Sequence, residues 1–186
     1  MLLITTREAL GIDGEQEFHL DPLPLDGPES EAFELYVERA RSVNHDFKAD
    51  ENNSAAIEAI VRQVEGLPLA LELAAAKTDF LSPKQIAEEL TRGAGFLKSR
   101  RRDVPTRQRT LNDAIVWSCR GMESYERIGL MVLSTFSGTF SLIAAEHVLR
   151  RDDIGGDPIS VIESLHQKSH IHRQDVAGQS RFRMLI

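Results

Sequence analysis

The chain has 186 residues, enough for one compact domain or two small ones. Hydrophobic residues make up 41% and charged residues 27%, values typical of a globular protein, and no run of about 18 apolar residues that could span a membrane occurs. The formal net charge of -7 argues against a nucleic-acid binder, because contacts to phosphates need a positive surface.

The first half of the chain predicts one strand followed by helices. Residues 2–6, LLITT, are apolar and β-branched, which is typical of a buried strand in a parallel sheet. No alternation of strands and helices follows, so we expect this strand either to belong to a sheet that is supplied elsewhere or to be frayed in this chain. Beyond a proline-rich connector, apolar periodicity predicts helices at 29–43, 54–64, 67–77 and from Ser82-Pro83 onward.

The second half predicts a separate unit after a basic linker at 93–106. Helices at 110–119, 124–134, 142–149 and 158–167 precede two strands, 170–174 and 181–185, which are joined around Ala177 and Gly178. Helices followed by a terminal hairpin are the pattern of a winged helix. The predicted fold class is therefore mainly α: a helical domain at 21–92, then a winged-helix domain at 107–186 with a small C-terminal β-hairpin.

Eight segments span almost the whole chain: LLITTRE, EFHLDPLPL, AFELYVERA, GLPLALELAAA, RQRTLNDAIVWS, FSGTFSL, SLHQKSHI and RFRML. In this order they resemble the NB-ARC type of STAND ATPase, and in particular bacterial ATP-binding transcriptional regulators of the SARP and LuxR-like kind. The resemblance implies that residues 1–20 are a remnant of a P-loop nucleotide-binding domain, that 21–92 form its ARC-type helical lid, and that 107–186 are its winged helix.

The first four candidate nucleotide-binding residues follow from this resemblance. Arg7 ends the family's sensor strand and would reach the γ-phosphate of ATP, for which the planar, permanently charged guanidinium is suited. Gly66, Leu67 and Pro68 open the lid motif GLPLA, in which Pro68 would pack near the adenine and ribose. The same residues also suit a helix start, since proline is favoured in the first turn.

Two further candidates, Arg107 and Arg109, lie in the segment RQRTL at the entrance to the predicted winged helix. A helix N-terminus with basic side chains beside it can receive an anion. A solvated basic linker and a DNA contact are the two alternative interpretations of this run. Met184 lies where the family carries a methionine-histidine-aspartate motif, but Leu185 and Ile186 follow it, so no phosphate-sensing role is implied there.

The sequence lacks the phosphate-binding loop GxxxxGK(S/T), and it lacks an apolar run that ends in paired acids. We therefore expect no catalysis by this segment alone, and no tightly bound nucleotide. The predicted function is the regulatory part of an ADP/ATP-dependent signalling switch of a transcriptional regulator, with the nucleotide held mainly in a longer protein. The expected partners are an upstream P-loop domain of the same longer chain and a second copy, with no membrane, and DNA only through other domains.

Two other functions remain open, a DNA-binding winged-helix protein and a ligand-free helical module for protein interactions. Titration with ADP, ATP and duplex DNA separates the three.

His170 and His172 share one face of a predicted strand, but no third ligand is visible, so no metal site is predicted. The N-terminus has no secretory signal and the single Cys119 excludes an internal disulfide, which together predict a cytoplasmic protein.

Overall fold

The computed structural model describes residues 2–6, 8–18, 20–99, 105, 108–151, 154–176 and 178–184. Within these residues the protein is mainly helical, with a small three-stranded antiparallel sheet toward the C-terminal end. The predicted fold class, mainly α with a C-terminal hairpin, is therefore confirmed. The chain divides into a helical unit, Leu20–Arg120, and a winged-helix unit, which combines Met1–His19 with Gly121–Ile186.

The described part of the helical unit contains five α-helices with defined starts. Ser30 caps the first helix by accepting a hydrogen bond from the Phe33 N–H at 3.3 Å. Ser82 and Gln85 form a reciprocal capping box at the fourth, where proline occupies the first turn. The helices are α1 Glu31–Val43, α2 Ser54–Gln63, α3 Pro68–Ala75, α4 Pro83–Arg92 and α5 Leu111–Ser118, with 3-10 turns at Ala76–Asp79 and Ala94–Phe96.

Helix α3 lies at the centre of this unit, because its sequence PLALELAA is apolar on almost every side. It packs against α1, and α2 packs against α4. Leu71 is fully buried, and Leu73 nearly so. Burial of side chains of this size contributes about 1.5–3 kcal/mol each, so the sequence from Pro68 onward is fixed by the core as much as by any ligand.

The described elements of the winged-helix unit follow one another in the order that is typical of a winged helix, helix–strand–helix–helix–strand–strand. Its sheet order is β1-β3-β2, with both pairs antiparallel. Phe140 pairs with Phe182, and their rings, 6.1 Å apart, lie on the buried face of the sheet. The elements are α6 Ser124–Leu133, β1 Thr139–Ser141, α7 Leu142–Leu149, α8 Pro158–Gln167, β2 Ile171–Val176 and β3 Gln179–Met184.

A buried ion pair joins α6 to the end of α8. Glu126 is 1% exposed, and Lys168 Nζ lies 2.7 Å from its carboxylate. The Ser164 hydroxyl and the Glu123 backbone N–H also donate to this carboxylate. Burial raises the pKa of Glu126, but the hydrogen bonds from Lys168, Ser164 and Glu123 outweigh it and hold the pKa below its usual value. The pair therefore stabilises the contact between two helices that the sequence places far apart.

Residues 2–6 differ from the sequence-based expectation of a strand. The described structure assigns no strand there, and Leu2 and Leu3 are 82% and 88% exposed. A strand exists only when a neighbour takes up its backbone hydrogen bonds, and no described strand pairs with this segment. No described helix is both long and apolar enough to cross a membrane.

Helix α5 packs with the helical unit, whose compact region extends to Arg120. Leu111 contacts the core of that unit, and Lys98 forms an antiparallel bridge with Thr110. The sequence-based division begins the second domain at residue 107 and so includes α5 in it. The difference arises because the apolar pattern of α5 identifies a helix but does not identify the surface against which it packs.

Candidate functional site

A glycine junction, formed by Leu23, Leu25 and Gly66, holds the start of α3. The Leu23 N–H donates to the Gly66 carbonyl at 3.1 Å, and both leucines pack against the core. Gly66 has φ +68°, in the left-handed region, and a Cβ added there would lie 2.3 Å from the Leu23 carbonyl oxygen. Only glycine combines this backbone angle with so close an approach.

The sequence around the junction explains why it forms. Helix α2 ends at a left-handed residue, Glu65 with φ +53°, and the next N–H, that of Gly66, donates to the Val61 carbonyl at 3.1 Å. In the connector, Leu23 and Leu25 alternate with prolines. Proline keeps such a segment extended, so the two leucines point the same way and reach the core together.

Directly after the junction, Leu67 is half-buried and Pro68 is exposed. Leu67 has extended backbone angles, and Pro68 takes the first turn of α3, where its missing N–H costs no hydrogen bond. The proline ring is thus presented at the surface by a backbone that the buried glycine fixes. The three predicted residues therefore lead from the buried Gly66 through the half-buried Leu67 to the exposed Pro68.

The predicted arginines are only partly described. Arg7 and Arg107 lie outside the described residues. Arg109 is exposed, and its carbonyl accepts a hydrogen bond from the Ser99 N–H at 2.7 Å. It precedes Thr110, whose side chain caps α5 by accepting from the Asp113 N–H at 2.8 Å. Arg109 therefore lies just before α5, which belongs to the helical unit and not to the winged-helix unit, at whose entrance the sequence analysis expects this arginine.

A second feature, which sequence reasoning missed, is a cavity of about 600 Å³ beside α3, here called the α3 cavity. Its walls include Arg39 of α1, Leu69 and Leu73 of α3, Lys77, and Lys98. Lys77 ends the mainly apolar run LPLALELAAAK, in which Glu72 is the other charged residue, but this local pattern does not indicate a cavity. Lys77 is only 8% exposed, which is unusual for a lysine.

The outward face of α8 is the surface that a winged helix would present to DNA. It carries no lysine or arginine among its exposed residues, which are Ile159, Ser160, Glu163, His166 and Gln167. A DNA-reading helix normally offers donors for base edges and positive charge for phosphates. Nor does the described part of the chain hold a group of three His, Cys, Asp or Glu side chains that could bind a metal ion.

Comparison with known proteins finds similarity along the whole chain. A candidate HTH-type transcriptional regulator of Mycobacterium tuberculosis (strain H37Rv) is 34% identical over 187 residues, which are 99% of this chain and 21% of that protein. A regulator of the same description from Mycobacterium bovis gives the same figures. An uncharacterized protein of Mycobacterium tuberculosis is 32% identical over 186 residues, which are 99% of this chain and 47% of that protein.

The chain thus spans about a fifth of the length of the regulators that it matches, and about half of the uncharacterized relative. No family model matches the sequence. No solved structure matches it either. Two of these relatives carry the name of a transcriptional regulator, and that name describes the whole of a much longer protein.

Proposed function

We propose that this chain is the regulatory part of a nucleotide-dependent signalling switch of the STAND type, within a transcriptional regulator. The helical unit would act as the lid over ADP or ATP, and the nucleotide would be held mainly by a P-loop domain that this sequence lacks. The chain itself would catalyse nothing. Its similarity to longer proteins named as transcriptional regulators supports a regulatory setting.

The glycine junction is the single observation that carries the proposal. The contact with Leu23 and Leu25 fixes the backbone of Gly66, and the Pro68 ring is exposed at the start of α3. A rigid ring loses no side-chain rotamer freedom when it packs against a flat base. A lid needs such a contact, because it must close over the adenine without ordering a flexible side chain.

Switching requires that the two nucleotides stabilise the two arrangements of the protein unequally. In this proposal Pro68 contacts the part that ADP and ATP share. Discrimination would come from Arg7 at the γ-phosphate, and from Arg107 and Arg109 near the start of α5. In a longer protein that contains the P-loop domain, Arg7→Ala should therefore reduce the difference in affinity between ATP and ADP. Pro68→Ala should lower the affinity for both nucleotides by the same factor.

The chain alone allows a direct test of the lid contact. We expect ADP, titrated to about 10 mM, to shift the amide NMR signals of Gly66, Leu67 and Leu69, with a dissociation constant in the millimolar range because no P-loop contributes. Inorganic diphosphate at the same concentration should leave these signals unchanged. Pro68→Ala should weaken the ADP effect about fivefold, which corresponds to about 1 kcal/mol of apolar contact.

Pro158→Ala is the matched control, since Pro158 occupies the first turn of α8 in the other unit. It should leave the ADP titration as in the unmodified chain. Absence of any shift at Gly66, Leu67 and Leu69, or an equal effect of the two proline substitutions, would show that the GLPLA segment has only a structural role. The helical interaction module would then be the better description.

A further inference from the structure

The α3 cavity lies within the helical unit and is not used by the proposed lid contact. Three parts of that unit enclose it: α1, α3 with the 3-10 turn that follows it, and the segment at Lys98 and Ser99. Its volume of about 600 Å³ lies within the range of about 300–1,000 Å³ found for small-molecule sites. Gly66, Leu67 and Pro68 are not among its lining residues. The cavity is therefore a separate candidate site.

The charge that lines the cavity favours an anion. Lys77 is buried, and its Nζ donates to the Lys98 carbonyl at 3.0 Å, which holds the ammonium against the cavity wall. The Lys98 side chain also lines the cavity. Arg39 Nε lies 3.1 Å from Glu72, so the negative charge of Glu72 is matched by a neighbour. The exposed Asp79 is the other acid in the lining.

The rest of the lining is apolar and suits a ring-sized body. Leu69, Leu73 and Val43 supply aliphatic surface, and Phe80 supplies an aromatic ring. Phe80 is 56% exposed, although a phenyl ring gains about 1.5–3 kcal/mol when it is fully buried. A ligand that covers this ring would recover part of that energy, and its anionic group would meet the lysines.

We propose that the α3 cavity binds a small organic anion, namely a carboxylate, sulfonate or phosphate group carried on a flat apolar body. Lys77 and Lys98 bind the anionic group, while Leu69, Leu73 and Phe80 contact the body. The ligand bridges α3 to the segment that leads toward α5, so its binding stabilises the helical unit. This site does not depend on a nucleotide and stands even if the lid contact at Pro68 fails.

Two probes with the same aromatic body test the proposal on the full chain. 8-Anilinonaphthalene-1-sulfonate carries the anionic group, and N-phenyl-1-naphthylamine lacks it. We expect the sulfonate to bind at one saturable site per chain, by fluorescence titration, and more tightly than the neutral probe. Lys77→Met should weaken the sulfonate about tenfold and change the neutral probe less than about twofold, because only the sulfonate loses a charge-assisted hydrogen bond.

The control variants distinguish binding in the α3 cavity from non-specific binding of the probes to apolar surface. Lys84→Met removes an exposed lysine on α4 and should change neither probe. Leu69→Trp places a larger side chain in the cavity lining and should weaken both. If circular dichroism shows that Lys77→Met does not fold, Lys98→Met gives the same readout from an exposed position. Binding that does not saturate, equal losses of both probes in the lysine variant, or unchanged binding in Leu69→Trp would overturn the proposal.

Discussion

At the scale of single residues, Gly66 gives the sharpest test of the glycine junction. An alanine there would need φ +68°, and its Cβ would overlap the Leu23 carbonyl oxygen at 2.3 Å. We expect Gly66→Ala to destabilise the helical unit by about 3 kcal/mol or more, of which about 1 kcal/mol is backbone strain and the rest steric overlap. Urea unfolding followed by fluorescence of Trp117, the one tryptophan of the sequence, measures this unit directly.

Gly27→Ala is the matched control for backbone strain. Gly27 lies in the same unit with φ +82°, and nothing stands within 4 Å of an added Cβ. Its substitution should therefore cost only the strain, about 1 kcal/mol. Similar losses in the two variants would mean that the backbone at Gly66 moves away from Leu23 easily, and that the junction does not hold Pro68 in place.

The sequence predicts some residues of the candidate site better than others. Gly66, Leu67 and Pro68 are recognisable because a breaker followed by a first-turn proline leaves a local pattern. Lys77 and Phe80 are not recognisable as cavity residues, because the cavity exists only after α1 and the segment at Lys98 pack beside α3. Concave sites formed by tertiary contacts carry no local signature.

At the scale of elements, the ion pair between Glu126 and Lys168 should make the contact of α6 with α8 depend on pH. The pKa of Glu126 is lowered in the folded chain, so its contribution is present above the unfolded pKa, about 4.3, and is lost as the pH falls through the folded value. The hydrogen bond from Lys168 to Glu126 raises the pKa of Lys168, so the lysine's contribution is lost only as the pH rises through that raised value.

Glu126→Gln should therefore destabilise the winged-helix unit by about 1.5–3 kcal/mol at neutral pH, with a loss that shrinks toward about pH 3. Urea unfolding followed by the amide NMR signals of α6 and α8 measures it. Glu146→Gln removes a pair, 3.6 Å apart, between the half-buried Glu146 and the exposed Arg150, and should cost less than about 0.5 kcal/mol. A loss in Glu126→Gln that is equal at both pH values would show that shape, rather than charge, accounts for the contact.

Elements follow from the sequence where the local pattern determines them. The helices of both units appear near their predicted positions, since apolar periodicity and caps such as Ser82 with Gln85 are local. The hairpin of β2 and β3 is also local, because its strands are joined by a short turn. Strand β1 is three residues long and pairs with β3, which lies about 40 residues later. No local sequence pattern therefore predicts it. The apolar residues 2–6 form no strand in the described structure, because a strand needs a neighbour that takes up its backbone hydrogen bonds.

At the scale of the whole molecule, charge argues against DNA as the ligand of the winged-helix unit. The chain carries a formal charge of -7, and the exposed face of α8 includes Glu163 but no described lysine or arginine. Counterion release by basic side chains supplies most of the affinity of a protein for a duplex, and this face releases none. We therefore expect the winged-helix unit not to bind duplex DNA.

Fluorescence anisotropy of a labelled duplex tests this expectation. At about 50 mM salt we expect no binding by the unmodified chain at protein concentrations up to about 10 µM, which is within the range of ordinary non-specific affinity. Glu163→Arg, combined with Gln167→Arg one helical turn later, gives α8 two exposed cations and should bring weak binding that disappears as salt is raised. Salt-dependent binding by the unmodified chain would contradict the regulatory interpretation and favour the DNA-binding alternative, because the winged-helix fold would then contact phosphates through residues other than those exposed on α8.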